Sequence, residues 1–334
     1  MTMAVHQAFG TLHNDPALMP PDAKTCYETL FPVPEERDQF KDIVAWLSLG
    51  HANADADWAE LFVTVQEIDA CVGMAFLSLY RPLGWWFGNY FGVLRGWHDT
   101  GRAVNFWQYV ADACYKIMPA AKGIVFETER YQDRGIESAL KKFEAGRPGT
   151  VVSLSDEERF SVSAALRIAV YTIFGIGQGA PHRIYGCLAM VAADESSRGM
   201  VDYVQPAMQL PLDESNEAPL WLMIHPFEPW FSKVMTDAAY SLEYEMSVDE
   251  VDEIFDFLYG HVFRSAYAAE YWGGTVEETY LEGYTEYVNE VRRKVQAKLI
   301  GKRVVLTNRD VLSRAARRLL GRYGGRIDAA GIGP

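Results

Sequence analysis

The spacing of apolar residues changes period along the chain, and those changes mark the elements. Between residues 24 and 50 the period is helical: Cys26, Leu30 and Phe31 are followed by Phe40, Ile43, Val44 and Leu47. Prolines at Pro32 and Pro34 divide this segment into two helices. Residues 58–65, 71–80 and 85–94 are rich in β-branched and aromatic side chains. Short turns at 66–70 and 81–84 separate them, which predicts an antiparallel meander. A loop at 96–101 then leads into a helix with Ala103, Phe106, Val110 and Cys114 on one face, and residues 122–129 read as a further strand.

Downstream, 131–155 reads as a short helix plus loop, and 156–174 as a helix. Ser155 stands at its N-cap, and Asp156, Glu157 and Glu158 complement the positive end of its dipole. Two more strands are predicted at 184–191 and 220–225, and residues 228–321 read as almost wholly helical. Three regions follow: an N-terminal arm at 1–23, mobile or draped; an α/β domain at 24–227; and a helical extension at 228–334 with a basic tail.

The chain has 334 residues, 49% of them hydrophobic and 23% charged, so a sizeable core is available. A formal net charge of −14 argues against nucleic acid as the main partner. Charge is uneven: 243–256 is strongly acidic and 292–326 basic, which predicts solvated faces first and mutual pairing second. Cys26, Cys71, Cys114 and Cys187 have no metal-ligand or disulfide spacing, so buried thiols are expected and a metal is not. His182, His225 and His261 likewise lack partners at ligand spacing. The N-terminal residues do not read as a signal peptide and no apolar stretch is long enough to span a bilayer, so a cytoplasmic location without a membrane partner is expected.

Chemistry is suggested by the stretch from Val93 to Phe106. A strand, a glycine-containing loop and a helix in that order can hold a pyrophosphate, because loop and first-turn amides point at the anion. Many such turns bind nothing, and the stretch alone leaves that open. The order of elements around it resembles the Gcn5-related N-acetyltransferase (GNAT) superfamily. That family's coenzyme loop follows an apolar strand as Arg or Gln, two residues, Gly, one residue, then Gly or Ala. Here His98, Asp99, Thr100, Gly101, Arg102 and Ala103 occupy the place; Gly101 and Ala103 match, and His98 stands where Arg or Gln is usual. Further pieces agree: the segment from Phe31 to Arg37, Val72-Gly73 in the second strand of the meander, and Arg167 to Gly175, with Tyr171 four residues before the glycine.

The resemblance implies a mixed, mostly antiparallel sheet flanked by helices, which opens between two diverging strands to admit a pantetheine arm. It implies acetyl-CoA or another acyl-CoA as co-substrate, held by Val93, Leu94, Arg95, His98, Asp99, Thr100, Gly101, Arg102 and Ala103, with a strand amide at Val93 or Leu94 on the thioester carbonyl. It also implies Tyr171 as the acid that reprotonates the leaving thiolate, where a core tyrosine on an amphipathic helix is an equal reading. A base is harder to assign from the residues. Glu127 and Glu129 alternate to one face of their strand, and burial beside aromatics would raise either toward neutrality. Glu127 is favoured as the base, and Glu129 for pairing with Arg130, Arg167 or the basic tail, or for contact with substrate. Asn89 and Tyr90 are further candidate substrate contacts.

The expected reaction is acyl transfer to a small-molecule or peptide amine. Two readings compete: an inactive GNAT-like module that binds CoA or a protein, and an N-acyltransferase that uses acyl-carrier-protein thioesters, for which Arg317 and Arg318 would serve. The stripes Tyr259, Val262, Phe263, Ala266, Tyr267 and Tyr280, Tyr284, Tyr287, Val288, Val291 predict buried helical seams or a homodimer contact.

Overall fold

The computed structural model describes residues 11–13, 15–32, 37–52, 57–68, 70–94, 102–129, 131–147, 151–171, 175–176, 184–185, 187–194, 200–203, 220–227, 230, 243–264, 278–308 and 311–329. The chain forms two compact units, Met1–Val125 with Phe227–Pro229, and Phe126–Pro226 with Trp230–Pro334.

The first unit contains β1 (Thr11–His13), α1 (Ala23–Leu30), α2 (Phe40–Ala52), β2 (Trp58–Glu67), β3 (Ala70–Tyr80), β4 (Trp85–Val93), α3 (Arg102–Ile117) and the beginning of β5 (Gly123–Glu129). Its strands run in the order β1-β2-β3-β4-β5. The predicted meander is present: β2 pairs antiparallel with β3, and β3 with β4. Part of the predicted N-terminal arm is a strand, because Thr11–His13 pairs antiparallel with Phe62–Thr64. Gly73 lets the three long strands close. A methyl group there would lie 2.8 Å from both the Val65 and Val93 side chains and 3.0 Å from the Gly92 carbonyl.

β4 and β5 start together. Lys122 donates its N–H to the Gly84 carbonyl at 2.7 Å, and Gly84 takes φ +71°, which suits a residue without Cβ. Both strands leave this bond in chain order, so they are parallel and α3 is the crossover between them.

Helices cover both faces of this sheet. Tyr27 of α1 and Ile43 and Leu47 of α2 pack with Phe62, Met74 and Phe76 in one buried cluster. On the opposite face, Phe91 of β4 meets Phe106 and Trp107 of α3, with ring centroids 5.4 and 5.0 Å apart. Of the predicted α3 face, Phe106, Val110 and Cys114 are buried. All four cysteines are buried thiols.

The second unit holds the rest of β5 and then α4 (Asp133–Ala145), α5 (Asp156–Tyr171), the pair β6 (Gly175–Ile176) and β7 (Ile184–Tyr185), β8 (Leu188–Asp194), β9 (Met200–Tyr203) and β10 (Leu220–Pro226). It continues with β11 (Glu243–Glu245), α6 (Val248–Phe255) leading into a π-helical stretch at Asp256–Val262, α7 (Glu278–Leu299), β12 (Lys302–Thr307) and α8 (Arg314–Ala329). Strands β10-β8-β12-β11 are neighbours in that order, all antiparallel, with β9 also on β8.

The almost wholly helical reading of 228–321 is therefore corrected by two strands. α7 stops before Gly301, which has φ +70°, and Val304, Val305 and Leu306 then form a short apolar run buried along β8. Six residues between two basic helices are too few for a helical period to show against a strand period. The acidic and basic blocks do pair: Arg303 with Glu245 at 2.8 Å and Arg292 with Asp256 at 3.8 Å. Of the tyrosine stripes, Tyr259, Val262, Phe263, Tyr284 and Val291 are buried, and the Tyr284 hydroxyl donates to the Tyr259 carbonyl at 2.5 Å; Ala266 and Tyr267 lie outside the described residues.

The Ser155 cap is also present, and it anchors α5 to α4. The Ser155 N–H donates to Glu158 Oε2 at 2.7 Å, and the Glu158 N–H donates to Ser155 Oγ at 3.3 Å. The same carboxylate accepts from Lys142 Nζ at 2.7 Å and from Ser138 at 2.6 Å. Burial opposes its ionisation, but the hydrogen bonds from Lys142, Ser138 and Ser155 outweigh that and bring it down to about 2.

A pKa lowered on folding means the stabilisation is complete above the ordinary carboxylate range and is lost as pH falls toward 2. Glu158→Ala should cost roughly 2–3 kcal/mol near pH 7, measured by urea unfolding. Most of that difference from wild type should vanish by pH 3.

Candidate functional site

Strand β4 carries an extra residue. Leu77 faces Gly88 and Phe76 faces Tyr90, so Asn89 has no opposite number on β3 and forms a bulge. Bulges bend a strand and re-aim its side chains, and this one sits at the middle of the strand that leads into α3.

Beyond the bulge the alternation is clear. Tyr90 turns to the α1–α2 face, where its ring meets Tyr27 edge-on at 5.1 Å. Its hydroxyl donates to Asp38 Oδ2 and accepts from the Asp38 N–H, each at 2.8 Å, while Tyr27 donates to the Asp38 carbonyl at 3.0 Å. Burial pushes the Tyr90 phenol well up and Tyr27 up to about 12, so both remain neutral donors. The Tyr90 hydroxyl is thus committed to fixing the connection between α1 and α2.

Asn89 has a different partner. Its Nδ2 donates to Ser78 Oγ at 2.8 Å, and Ser78 in turn donates to Glu60 Oε2 at 2.6 Å. The chain of hydrogen bonds crosses β4, β3 and β2, with Glu60 directly opposite Ser78 in the ladder. Burial drives the Glu60 carboxyl up to about 7, and the Ser78 hydrogen bond only partly offsets this. Sequence reasoning missed Glu60 and Ser78. The available signal was a single carboxylate in line with Trp58, Phe62 and Thr64, on the inward face of an apolar strand.

At the end of β4, Val93 is buried and Leu94 half-buried. The Leu94 N–H donates to the Val72 carbonyl at 2.7 Å, so that amide is used by β3. Amides alternate along a ladder, which directs the Val93 N–H to the other edge of β4. Arg95, His98, Asp99, Thr100 and Gly101 lie outside the described residues. α3 begins at Arg102, followed by half-buried Ala103, and its first turn contains no acidic residue. Arg102 pairs with Glu67 at 3.0 Å, which fixes the start of the helix to the end of β2.

The remaining candidates belong to the second unit. Glu127 and Glu129 are half-buried on β5, with buried Thr128 between them. Glu129 pairs with Arg167 of α5 at 2.7 Å, one of the partners foreseen for it. Tyr171 closes α5 one turn beyond Arg167, and its side chain lies outside the described residues. Among the described residues no cluster of three or more His, Cys, Asp or Glu could hold a metal ion, and no helix is long and apolar enough to cross a membrane.

The architecture is α/β: a mixed, mostly antiparallel arrangement of strands flanked by helices, with one parallel β4–α3–β5 unit. No protein-family model matches the chain, and no curated protein matches it. Among solved structures it is similar to the IAA acetyltransferase from Bacillus cereus ATCC 14579, at 8% identity and a TM-score of 0.30, over 64% of this chain and 97% of that one. It is also similar to a GNAT-family protein of Bacteroides thetaiotaomicron described as an acetyltransferase, at 10% identity and a TM-score of 0.31, over 75% of this chain and 94% of that one. Superpositions at that level carry no functional weight, which leaves the chain's own β4–α3 junction as the basis for a function.

Because the Glu60 pKa rises on folding, ionising it costs the folded state more than the unfolded one. That cost is absent below the ordinary carboxylate range, grows as pH rises to about 7, and is constant above. Glu60→Gln keeps an acceptor for Ser78 and removes the charge. It should match wild type in stability at pH 4 and exceed it by something on the order of 2 kcal/mol at pH 8, in denaturant melts.

Proposed function

We propose that this chain is an acyl-CoA-dependent N-acyltransferase. The observation that carries the reading is the junction of β4 with α3. A bulged strand ends at Val93, residues 95–101 with their Gly101 follow, and a sixteen-residue helix starts at Arg102 with no carboxylate in its first turn. The positive end of that helix suits a diphosphate, which would compete with Glu67 for the Arg102 guanidinium 3.0 Å from it.

Acyl-CoA supplies an activated thioester. The amine nitrogen forms a bond to the thioester carbonyl carbon, the carbon–sulfur bond breaks, and one amine proton ends on the CoA sulfur. The products are an amide and free CoA thiol. In this scheme Tyr171 delivers the proton to the departing sulfur and Glu127 takes one from the amine. Glu129 holds Arg167 at 2.7 Å, so its part is to brace α5 against the end of β5. The carrier-protein version has less support, because Arg318 is occupied by Glu144 at 2.5 Å.

A thermal-shift panel of acetyl-, malonyl- and long-chain acyl-CoA tests the reading. A ligand at a hundred times its Kd should stabilise the native protein by about 2.7 kcal/mol, and a flat panel would overturn the proposal. Tyr171→Phe should reduce turnover by about 100-fold or more while the shift with acyl-CoA stays as in wild type. An unchanged rate removes Tyr171 from the scheme.

A further inference from the structure

We propose that Asn89 receives the amine acceptor through its side-chain carbonyl oxygen, and that Ser78 and Glu60 are positioning residues that fix which end of its amide is presented. The inference rests on the acyltransferase reading and deepens it, because it assigns the acceptor's contact on β4.

The argument is one of hydrogen-bond polarity. The half-buried Glu60 carboxylate, hydrogen-bonded to Ser78, accepts and does not donate when ionised. Ser78 has one hydroxyl proton, and with Glu60 at 2.6 Å that proton is spent there. Its oxygen can then only accept from its other neighbour, and Asn89 satisfies it with Nδ2 at 2.8 Å. An asparagine amide is planar with two unlike ends, so fixing Nδ2 on Ser78 turns Oδ1 away from β3.

The bulge makes this orientation useful. Asn89 is the residue that β3 leaves unopposed, so its position on β4 is set by the irregularity and not by the ladder. A neutral amine about to attack has N–H groups to donate and must keep its lone pair on the electrophile. A fixed carbonyl acceptor meets both needs, and it cannot capture the proton as a carboxylate would. Were this chain of groups only a cross-strand tie, an apolar pair opposite each other would hold β2 to β3 without partly desolvating an acid.

The experiment compares steady-state kinetics of Glu60→Leu, Ser78→Ala and Glu60→Gln with wild type, using acetyl-CoA and a panel of primary amines and following CoA thiol release. Glu60→Leu and Ser78→Ala should each raise the amine KM by about ten-fold while the acetyl-CoA KM stays put, and Glu60→Gln should recover most of the Glu60→Leu loss. If Glu60→Leu fails to fold, Ser78→Ala carries the same test, since it removes only the bridging hydroxyl. Turnover in which neither substitution moves the amine KM, or in which both KM values rise together, overturns this inference alone. Wild-type protein that neither binds nor turns over acetyl-CoA overturns the acyltransferase reading, and the inference with it.

Discussion

The register between β3 and β4 decides more of this molecule than any other single feature. Side chains alternate along a strand, so one extra residue exchanges the two faces for everything that follows it. Without the bulge at Asn89, Tyr90 would point to α3 and Phe91 to the α1–α2 cluster. As it is, Tyr90 reaches Asp38 and the ring of Tyr27, and Phe91 stacks on Phe106 and Trp107. Both helical layers of the first unit depend on that shift. Gly73 completes the constraint, because any side chain there would push Val93 out of line just where β4 hands over to α3.

A half-buried acid whose ionisation its surroundings oppose is an expense that a purely structural protein need not carry. Ser78 is the hydrogen-bond partner of Glu60 among the described residues, and burial pushes its carboxyl up to about 7. Glu158 is the instructive contrast. It is buried, but Lys142, Ser138 and the Ser155 amide surround it, and it is held down to about 2. The second arrangement is what a stabilising buried carboxylate looks like: neutralised, multiply hydrogen-bonded and tied to a helix start. The first is tolerated at a cost, and such costs concentrate where a site needs them.

Much of the first unit was legible from the sequence because its signals are local. Prolines split α1 from α2, turn residues separate β2, β3 and β4, and the helical period of α3 begins at once after the loop. The bulge was not legible, since Gly88, Asn89 and Tyr90 are each unremarkable in a strand and only the partner strand reveals the extra residue. Glu60 was passed over for the same reason: its significance lies in Ser78, eighteen positions away, which pairing alone brings opposite. β12 was lost to length and distance, because its six residues gain their meaning from β8, more than a hundred positions upstream. Of the loop that carried the resemblance, only Arg102 and Ala103 fall among the described residues, and so the site was half written in local pattern and half in contacts.

The acidic groups on β2 and β5 differ in their partners. Glu129 is engaged with Arg167 at 2.7 Å. Glu60 titrates near neutrality, which is the range a base requires, but Ser78 stands between it and Asn89, and the amide beyond cannot relay a proton. A group matched in proton affinity but insulated by an amide can orient and cannot abstract.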